Sequence, residues 1–189
     1  MKHFFNSIHG WFSFETLYRD VVTRFDNAKF VEVGTWMGRS AAYMAVEIKN
    51  SNKNIKFYCV DTWKGSVEHT NVLEVKNDVL YETFLQNIDS VKDIIEPIRM
   101  LSTEASQQFS NESLDFIFID ASHDYDNVKA DIHAWYPKLK VGGVFGGHDY
   151  HRGWPGVRKA VDEFAKLNNL PIDKSVCNSW FTIKPTITF

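Results

Sequence analysis

The run Leu-Asp-Phe-Ile-Phe-Ile-Asp-Ala-Ser at 114–122 is apolar at almost every position, where a strand with one wet face would alternate. Such a run fits a strand buried on both sides, a geometry that belongs to parallel sheets flanked by helices. Other short apolar runs repeat the theme: KFVEVG (29–34), IKFYCVD (55–61), IEPIRML (95–101) and GGVFGGHD (142–149). NSWFTIKP, within 175–185, alternates and reads as a terminal strand or hairpin. Helical periodicity fills the gaps at 40–48, 72–88, 126–136 and 155–167, the last opening on Pro, whose missing N–H is harmless in a first turn. Strand, helix, strand, repeated, predicts an α/β fold: a doubly wound, mostly parallel sheet with helices on both faces. The first 25 residues read as an extra helix across the open end of the sheet, with Trp11, Phe12, Phe14, Leu17 and Tyr18 on its apolar side.

Composition narrows the function classes. A chain of 189 residues with 44% hydrophobic and 24% charged residues suits one globular domain, here 1–189. A net charge of −3 without a basic block argues against a nucleic-acid surface. No apolar run approaches the roughly 18 residues that would cross a bilayer, and the first 15 residues lack an apolar core with a small-residue cleavage site. The two cysteines, Cys59 and Cys177, are too few for a disulfide framework or a thiolate zinc site. The expectation is a cytoplasmic, soluble enzyme or binding domain acting on a small molecule.

In open α/β sheets, ligands bind beyond the carboxyl ends of the strands, where strand order reverses. The unusual polar residues fall there: 34–40, 61–63, 102–105, 120–125 and 148–150. The first of these turns is Glu32-Val-Gly34-Thr35-Trp36-Met-Gly38-Arg-Ser40. A dinucleotide loop, G-x-G-x-x-G, would need glycine where Trp36 stands, and no Gly-Lys-Ser/Thr marks a Walker loop. The ligand is therefore expected to be nucleoside-like but without a pyrophosphate. Asp61, closing the second strand, suits a pair of ribose hydroxyls.

This loop resembles the E-x-G-x-x-x-G-x-S motif of class I S-adenosylmethionine-dependent methyltransferases. The later segments IDASHDY, LKVGG, GHDY and GVRKAVDEF, in that order, resemble the second half of small macrocin-type and catechol-type O-methyltransferases. The resemblance spans about 29–185. It implies a Rossmann-like, seven-stranded sheet with an antiparallel last strand, residues 1–28 forming a helical cap on a cofactor-binding core at 29–185. It also implies S-adenosylmethionine as cofactor: Gly34 and Gly38 along its methionine portion with Thr35 and Trp36 in the same loop, the Ser40 hydroxyl at its carboxylate, and Glu32 near its ammonium. Asp61 would take the ribose, Thr62 and Trp63 would wall the adenine, and Ser102 would touch its polar edge.

The far side carries the chemistry. Asp120, His148 and Asp149 end two adjacent strands and are candidates to converge on Mg²⁺ or another divalent cation. The residues alone leave a plain helix cap and a loop hydrogen bond open as alternatives. The 28-residue gap from Asp120 to His148 matches the catechol-type ligand spacing, but those enzymes carry Asp-Asn where this chain has His148-Asp149. His123, three after Asp120, stands where the catechol-type enzymes carry a catalytic lysine, and imidazole suits proton removal near neutrality. His123 and Asp120 are thus the expected catalytic pair.

The expected reaction is O-methylation of a small hydroxylated acceptor, sugar-like or a natural product. Trp11, Phe12, the loop 64–78, and Arg152 with Trp154 are candidates to select it. Two other classes stay open: a nicotinamide-dependent oxidoreductase, and a non-catalytic domain that kept the cofactor fold. An aromatic N-terminus admits a homodimer contact.

Overall fold

The computed structural model describes residues 1–66 and 69–186. Its strands are β1 (Asn27–Val33), β2 (Asn54–Asp61), β3 (Ile95–Arg99), β4 (Leu114–Ile119), β5 (Leu139–Gly147) and β6 (Trp180–Ile183). Its α-helices are α1 (Glu15–Arg24), α2 (Arg39–Ser51), α3 (Leu73–Lys76), α4 (Leu80–Asn87), α5 (Ser102–Ala105), α6 (Tyr125–Trp135) and α7 (Pro155–Asn168). The sheet order is β3-β2-β1-β4-β5-β6, parallel throughout except for the antiparallel β5–β6 pair. No described helix is long and apolar enough to cross a membrane.

β4 shows why its sequence is nearly all apolar. Phe116 and Phe118 pack toward α1 and α2, whereas Ile117 and Ile119 pack toward α6 and α7, so both faces are buried. β1 alternates in the same way, and this puts Glu32, between Val31 and Val33, on the α1–α2 side with Phe30. α1 covers that side with Leu17, Tyr18, Val21 and Val22. Trp11 and Phe12 precede the helix; Trp11 is 72% exposed, so it is not part of the covering face.

The sheet among the described residues has six strands rather than seven. After α7 the chain returns through an isolated antiparallel bridge between Asp173 and Phe181, with mutual backbone hydrogen bonds of 2.8 and 3.0 Å. That bridge lies on the free edge of β6, where a further strand would pair. Two residues before Asp173 the ladder would next need an N–H, and Pro171 has none. The segment 72–88 is likewise two helices, α3 and α4, broken at 77–79, where Asp78 adopts φ 53°.

The strand order reverses between β1, which leads outward to β2, and β4, which leads to β5. At that point Gly34 accepts no substitute. Its φ is +84°, and a Cβ there would lie 2.1 Å from the Asp120 carbonyl oxygen. Asp120 N–H donates to Val33 O at 2.7 Å and Gly34 N–H to Val60 O at 2.8 Å, extending the two ladders past the strand ends. Gly142 has a similar φ of +79° but nothing within 4 Å of its Cβ position. Gly142→Ala should therefore cost only the left-handed backbone strain, about 1 kcal/mol, whereas Gly34→Ala should cost more than ~4 kcal/mol or yield no folded protein. Urea unfolding of the two variants checks this; equal losses would remove the steric account of Gly34.

Candidate active site

Two cavities open at the carboxyl ends of the strands. The smaller, about 360 Å³, runs from Gly34, Asp61 and Thr62 to Ser102, Asn127 and Asp131. The larger, about 840 Å³, lies between the N-terminal segment 10–13 and the loops after β4 and β5, and reaches His123, His148, Asp149 and Trp154. They share Gly34, Trp36, His69, Asp120 and Ala121, so they meet above the β1–β4 reversal.

The glycine loop is held from below. Asp61 does not present an open carboxylate: its Oδ2 accepts from Thr35 N–H at 2.9 Å and Trp36 N–H at 3.0 Å, and its Oδ1 from Trp63 N–H at 2.9 Å. Burial pushes its pKa up and these backbone donors pull it back, with a net rise. Both loops it ties contain a tryptophan in the left-handed region, Trp36 at φ 50° and Trp63 at φ 51°. A bulky residue rarely rests there, and the shared carboxylate offsets the strain. Trp63 is 1% exposed, packed on Tyr81 and Phe84 with its indole N–H donated to Trp36 O. It lines neither cavity, and so builds the loop's floor rather than a ligand wall.

Glu32, Gly38 and Ser40 also differ from the sequence expectation. Gly38 caps α2 at φ 88°, packed against Phe84 and Ile88, away from both cavities. The Ser40 hydroxyl donates inward to Glu32, although Ser40 itself borders the larger cavity. Glu32 is fully buried and lines neither space. Burial pushes its pKa up to about 8, against the Ser40 hydrogen bond that lowers it. What the larger cavity does offer at the N-terminus of α2 is a set of polar atoms buried without a hydrogen-bond partner: Thr35 Oγ1, Trp36 Nε1 and Arg39 Nε. Two donors and a hydroxyl, beside the positive end of a 13-residue helix, suit a carboxylate.

On the far side, Asp149 is the hub. Its Oδ2 lies 2.9 Å from His123 Nε2, and its Oδ1 lies 3.2 Å from His148 Nδ1 and 3.6 Å from His151 Nε2. Burial alone would raise its pKa, but the two histidine hydrogen bonds hold it well below the usual carboxylate range. Asp120, with Oδ1 3.8 Å from His148 Nδ1, goes the other way: burial pushes it up to about 6 despite the neighbouring histidines. For His148, burial disfavours the charged ring, yet the bond to Asp149 and the two carboxylates outweigh it, and its pKa rises. His148 Nε2 meets Ser13 Oγ at 3.2 Å, and its ring packs on Phe14. The His123 ring stacks on Trp154, centroids 3.9 Å apart and 11° from parallel.

Asp120, His148 and Asp149 each offer one ligand atom, all within 4.8 Å of one another. Ligands about 2.1 Å from one ion lie roughly 3–4 Å apart, so this set fits a divalent cation, with His123 and Ser13 as outer partners. The sequence placed these residues at adjacent strand ends, and the structure brings them together. It also adds groups that sequence reasoning missed. His69, within the candidate loop 64–78 but not singled out there, packs tilted against Trp36 with ring centroids 4.2 Å apart; Arg39 ties the N-terminal segment through the Ile8 and Gly10 carbonyls; and Asp131 is a buried acid on the smaller cavity. Only Asp131 carried a signal, an acid among the apolar positions 128, 132 and 135 of one helix face. Arg152 is exposed and does not line either cavity, and of the loop 64–78, residues 67 and 68 lie outside the described residues.

An open sheet reversing at β1–β4 and a glycine turn into a helix are consistent with the class I methyltransferase architecture, and an Asp/His cluster lies beyond the reversal. The model of the methyltransferase domain family matches residues 31–150, and the chain belongs to that family of S-adenosylmethionine-dependent enzymes. No curated protein matches the sequence. Among solved structures, the O-methyltransferase NovP superposes with a TM-score of 0.71 at 17% identity, covering 91% of this chain and 79% of its own. CalS11, a TDP-rhamnose 3'-O-methyltransferase of calicheamicin biosynthesis, gives 0.63 at 15% identity, covering 89% and 76%. An O-methyltransferase from Bacillus cereus in complex with SAH gives 0.60 at 18% identity, covering 90% and 78%. At these identities the likeness is one of fold.

The Glu32 environment makes stability depend on pH. Its folded pKa, about 8, lies above the ordinary 4.5, so folding takes up a proton. Its contribution is greatest below pH 4.5 and is lost as pH rises toward 8, on the order of 4–5 kcal/mol across the window. Glu32→Gln should flatten this slope and melt above wild type at pH 9. Parallel melting curves for the two proteins between pH 5 and 9 would count against a buried neutral acid.

Proposed function

We propose that this chain transfers a methyl group from S-adenosylmethionine to a hydroxyl of a small, sugar-like or natural-product acceptor. The observation that carries the reading is the meeting of two cavities at Gly34, Trp36 and Asp120, one reaching from the Asp61 turn to Ser102 and Asp131 and the other ending at an Asp-His pair. The nucleoside part of the donor would occupy the smaller cavity, its ribose toward Thr62 and the Asp61 turn. Its carboxylate would lie at Thr35, Trp36 and Arg39 beside the start of α2.

The acceptor would enter between Phe12 and Trp154. Asp149, ionised, can only accept, so the bond between them uses a proton on His123 Nε2. The acceptor hydroxyl passes its proton to the His123 imidazole as its oxygen attacks the methyl carbon. The carbon–oxygen bond forms as the carbon–sulfur bond breaks, and the sulfonium leaves as a neutral thioether. Asp149 stabilises the imidazolium that results, and the stack on Trp154 fixes the ring plane. Asp120, His148 and Asp149 would hold a divalent cation, which supplies a lowered hydroxyl pKa and orientation of the acceptor. The apolar walls of Trp11, Phe12 and Trp154 suit the faces of a sugar ring or a flat natural product, and CalS11, named for a sugar-nucleotide acceptor, supports testing that class first.

Transfer of labelled methyl from S-adenosylmethionine to a panel of nucleotide sugars and small phenols tests the reading directly. His123→Ala should lower kcat by about 10²–10⁴-fold with S-adenosylhomocysteine affinity unchanged within about threefold. An unaltered kcat would remove His123 as the base. Calorimetric titration with Mn²⁺ should give binding in wild type that His148→Ala abolishes; binding that persists in the variant would place the ion elsewhere.

A further inference from the structure

The Asp/His cluster mixes two kinds of donor. Asp120 and Asp149 offer carboxylate oxygens, whereas His148 offers a ring nitrogen, and the three atoms lie within 4.8 Å of one another. His148 Nδ1 faces both acids, 3.2 Å from Asp149 Oδ1 and 3.8 Å from Asp120 Oδ1. The other oxygen of Asp149, Oδ2, is engaged by His123 at 2.9 Å, which leaves Oδ1 on the side of the cluster.

The N-terminal segment fixes the His148 ring. Ser13 Oγ stands 3.2 Å from Nε2, and a ring that donates its N–H there keeps the lone pair of Nδ1 for the side of the acids. Phe14 packs on the same ring with centroids 5.1 Å apart. Phe14 is fully buried and is itself wedged against Phe118 at 4.5 Å and Tyr18 at 4.9 Å, so the contact is anchored in the core. One nitrogen tied to a hydroxyl and the other turned to carboxylates is the arrangement of a metal-ligating histidine with its outer partner.

A nitrogen in the set changes which ion it prefers. Mg²⁺ is small and hard, takes oxygen ligands and gives up water reluctantly. Imidazole suits the borderline cations of the first transition row, and their affinity for mixed N/O sites rises from Mn²⁺ along the row. Two carboxylates neutralise a divalent ion, and the neutral ring adds a softer donor without adding charge.

We propose that His148, held by Ser13 and Phe14, binds the cation through Nδ1 and makes the site selective for a first-row transition-metal ion over Mg²⁺. The inference rests on the cation reading above and names the ligand that sets the identity of the ion. Ser13 also belongs to the segment that walls the larger cavity, so the ion and the acceptor space share one support.

The test loads the metal-free full chain with single cations. Calorimetry should show Co²⁺ bound at least about 100-fold tighter than Mg²⁺. His148→Asn, which puts an amide oxygen in place of the nitrogen, should narrow that ratio by about tenfold or more, chiefly by weakening Co²⁺. Ser13→Ala, which keeps the ligands but frees the ring, should weaken Co²⁺ by about tenfold. Pulsed electron paramagnetic resonance of the Mn²⁺-loaded wild type should show the modulation of a coordinated imidazole ¹⁴N, replaced by that of ¹⁵N when histidine is isotopically labelled. This readout needs no variant and stands if His148→Asn does not fold. An unchanged Co²⁺ affinity in Ser13→Ala overturns the part given to the N-terminal segment. Bound Mn²⁺ without nitrogen modulation, or a Co²⁺-to-Mg²⁺ ratio unaltered by His148→Asn, overturns the proposal while leaving a cation site of oxygens in place. Failure of every cation to bind overturns both.

Discussion

Two backbones come together at the strand-order reversal, Gly34 just past the end of β1 and Asp120 just past the end of β4. The Asp120 carbonyl occupies the space that any Cβ at position 34 would need, and Asp120 N–H is fixed on Val33 O. From this contact the chain diverges, toward α2 on one side and toward His123 and α6 on the other, and the two cavities lie in the fork. A shift of about 1 Å here would move the glycine loop against the Asp/His cluster, the geometry on which an in-line transfer depends.

Charge in the site is arranged by burial and by single shared acceptors rather than by many salt bridges. Asp61 gathers the N–H groups of two strained loops, and Asp149 gathers two histidines. These two acids lie on opposite sides of the fork, and each is surrounded by donors. Glu32, Asp120 and Asp131 are acids with too few donors, and burial raises all three. Burial raises Asp61 as well, against its three backbone donors, so only Asp149, between two histidines, is held well below the usual carboxylate range.

Much of the fold could be read from strand chemistry. The nearly all-apolar 114–119, the β-branched 29–33 and the glycine-rich 142–147 lie in interior strands of the sheet, where the pattern leaves little choice. The missing seventh strand was not readable, because it turns on whether one N–H, absent at Pro171, can extend a bridge two residues away. The break between α3 and α4 was hidden for a related reason: apolar spacing continues across 77–79 although the backbone at Asp78 leaves the helix. In the site, Asp120, His123, His148 and Asp149 lie together because they stand in the loops that follow two adjacent parallel strands, β4 and β5.

Side-chain direction within the glycine turn was another matter. The sequence determined which residues stand at the strand ends, since alternation and strand length fix where each strand stops. Tertiary packing alone decided where their side chains point: Glu32 and Ser40 toward each other beneath the loop, Trp63 onto Tyr81 and Phe84, and Asp61 onto backbone N–H groups. The physical reason is that period-two and period-3.6 patterns report burial, whereas a polar side chain at a strand end turns toward the donors its neighbours leave unpaired, and those neighbours lie 25 or more positions away in the chain for Asp61 with Thr35 and Trp36, and for His123 with Asp149.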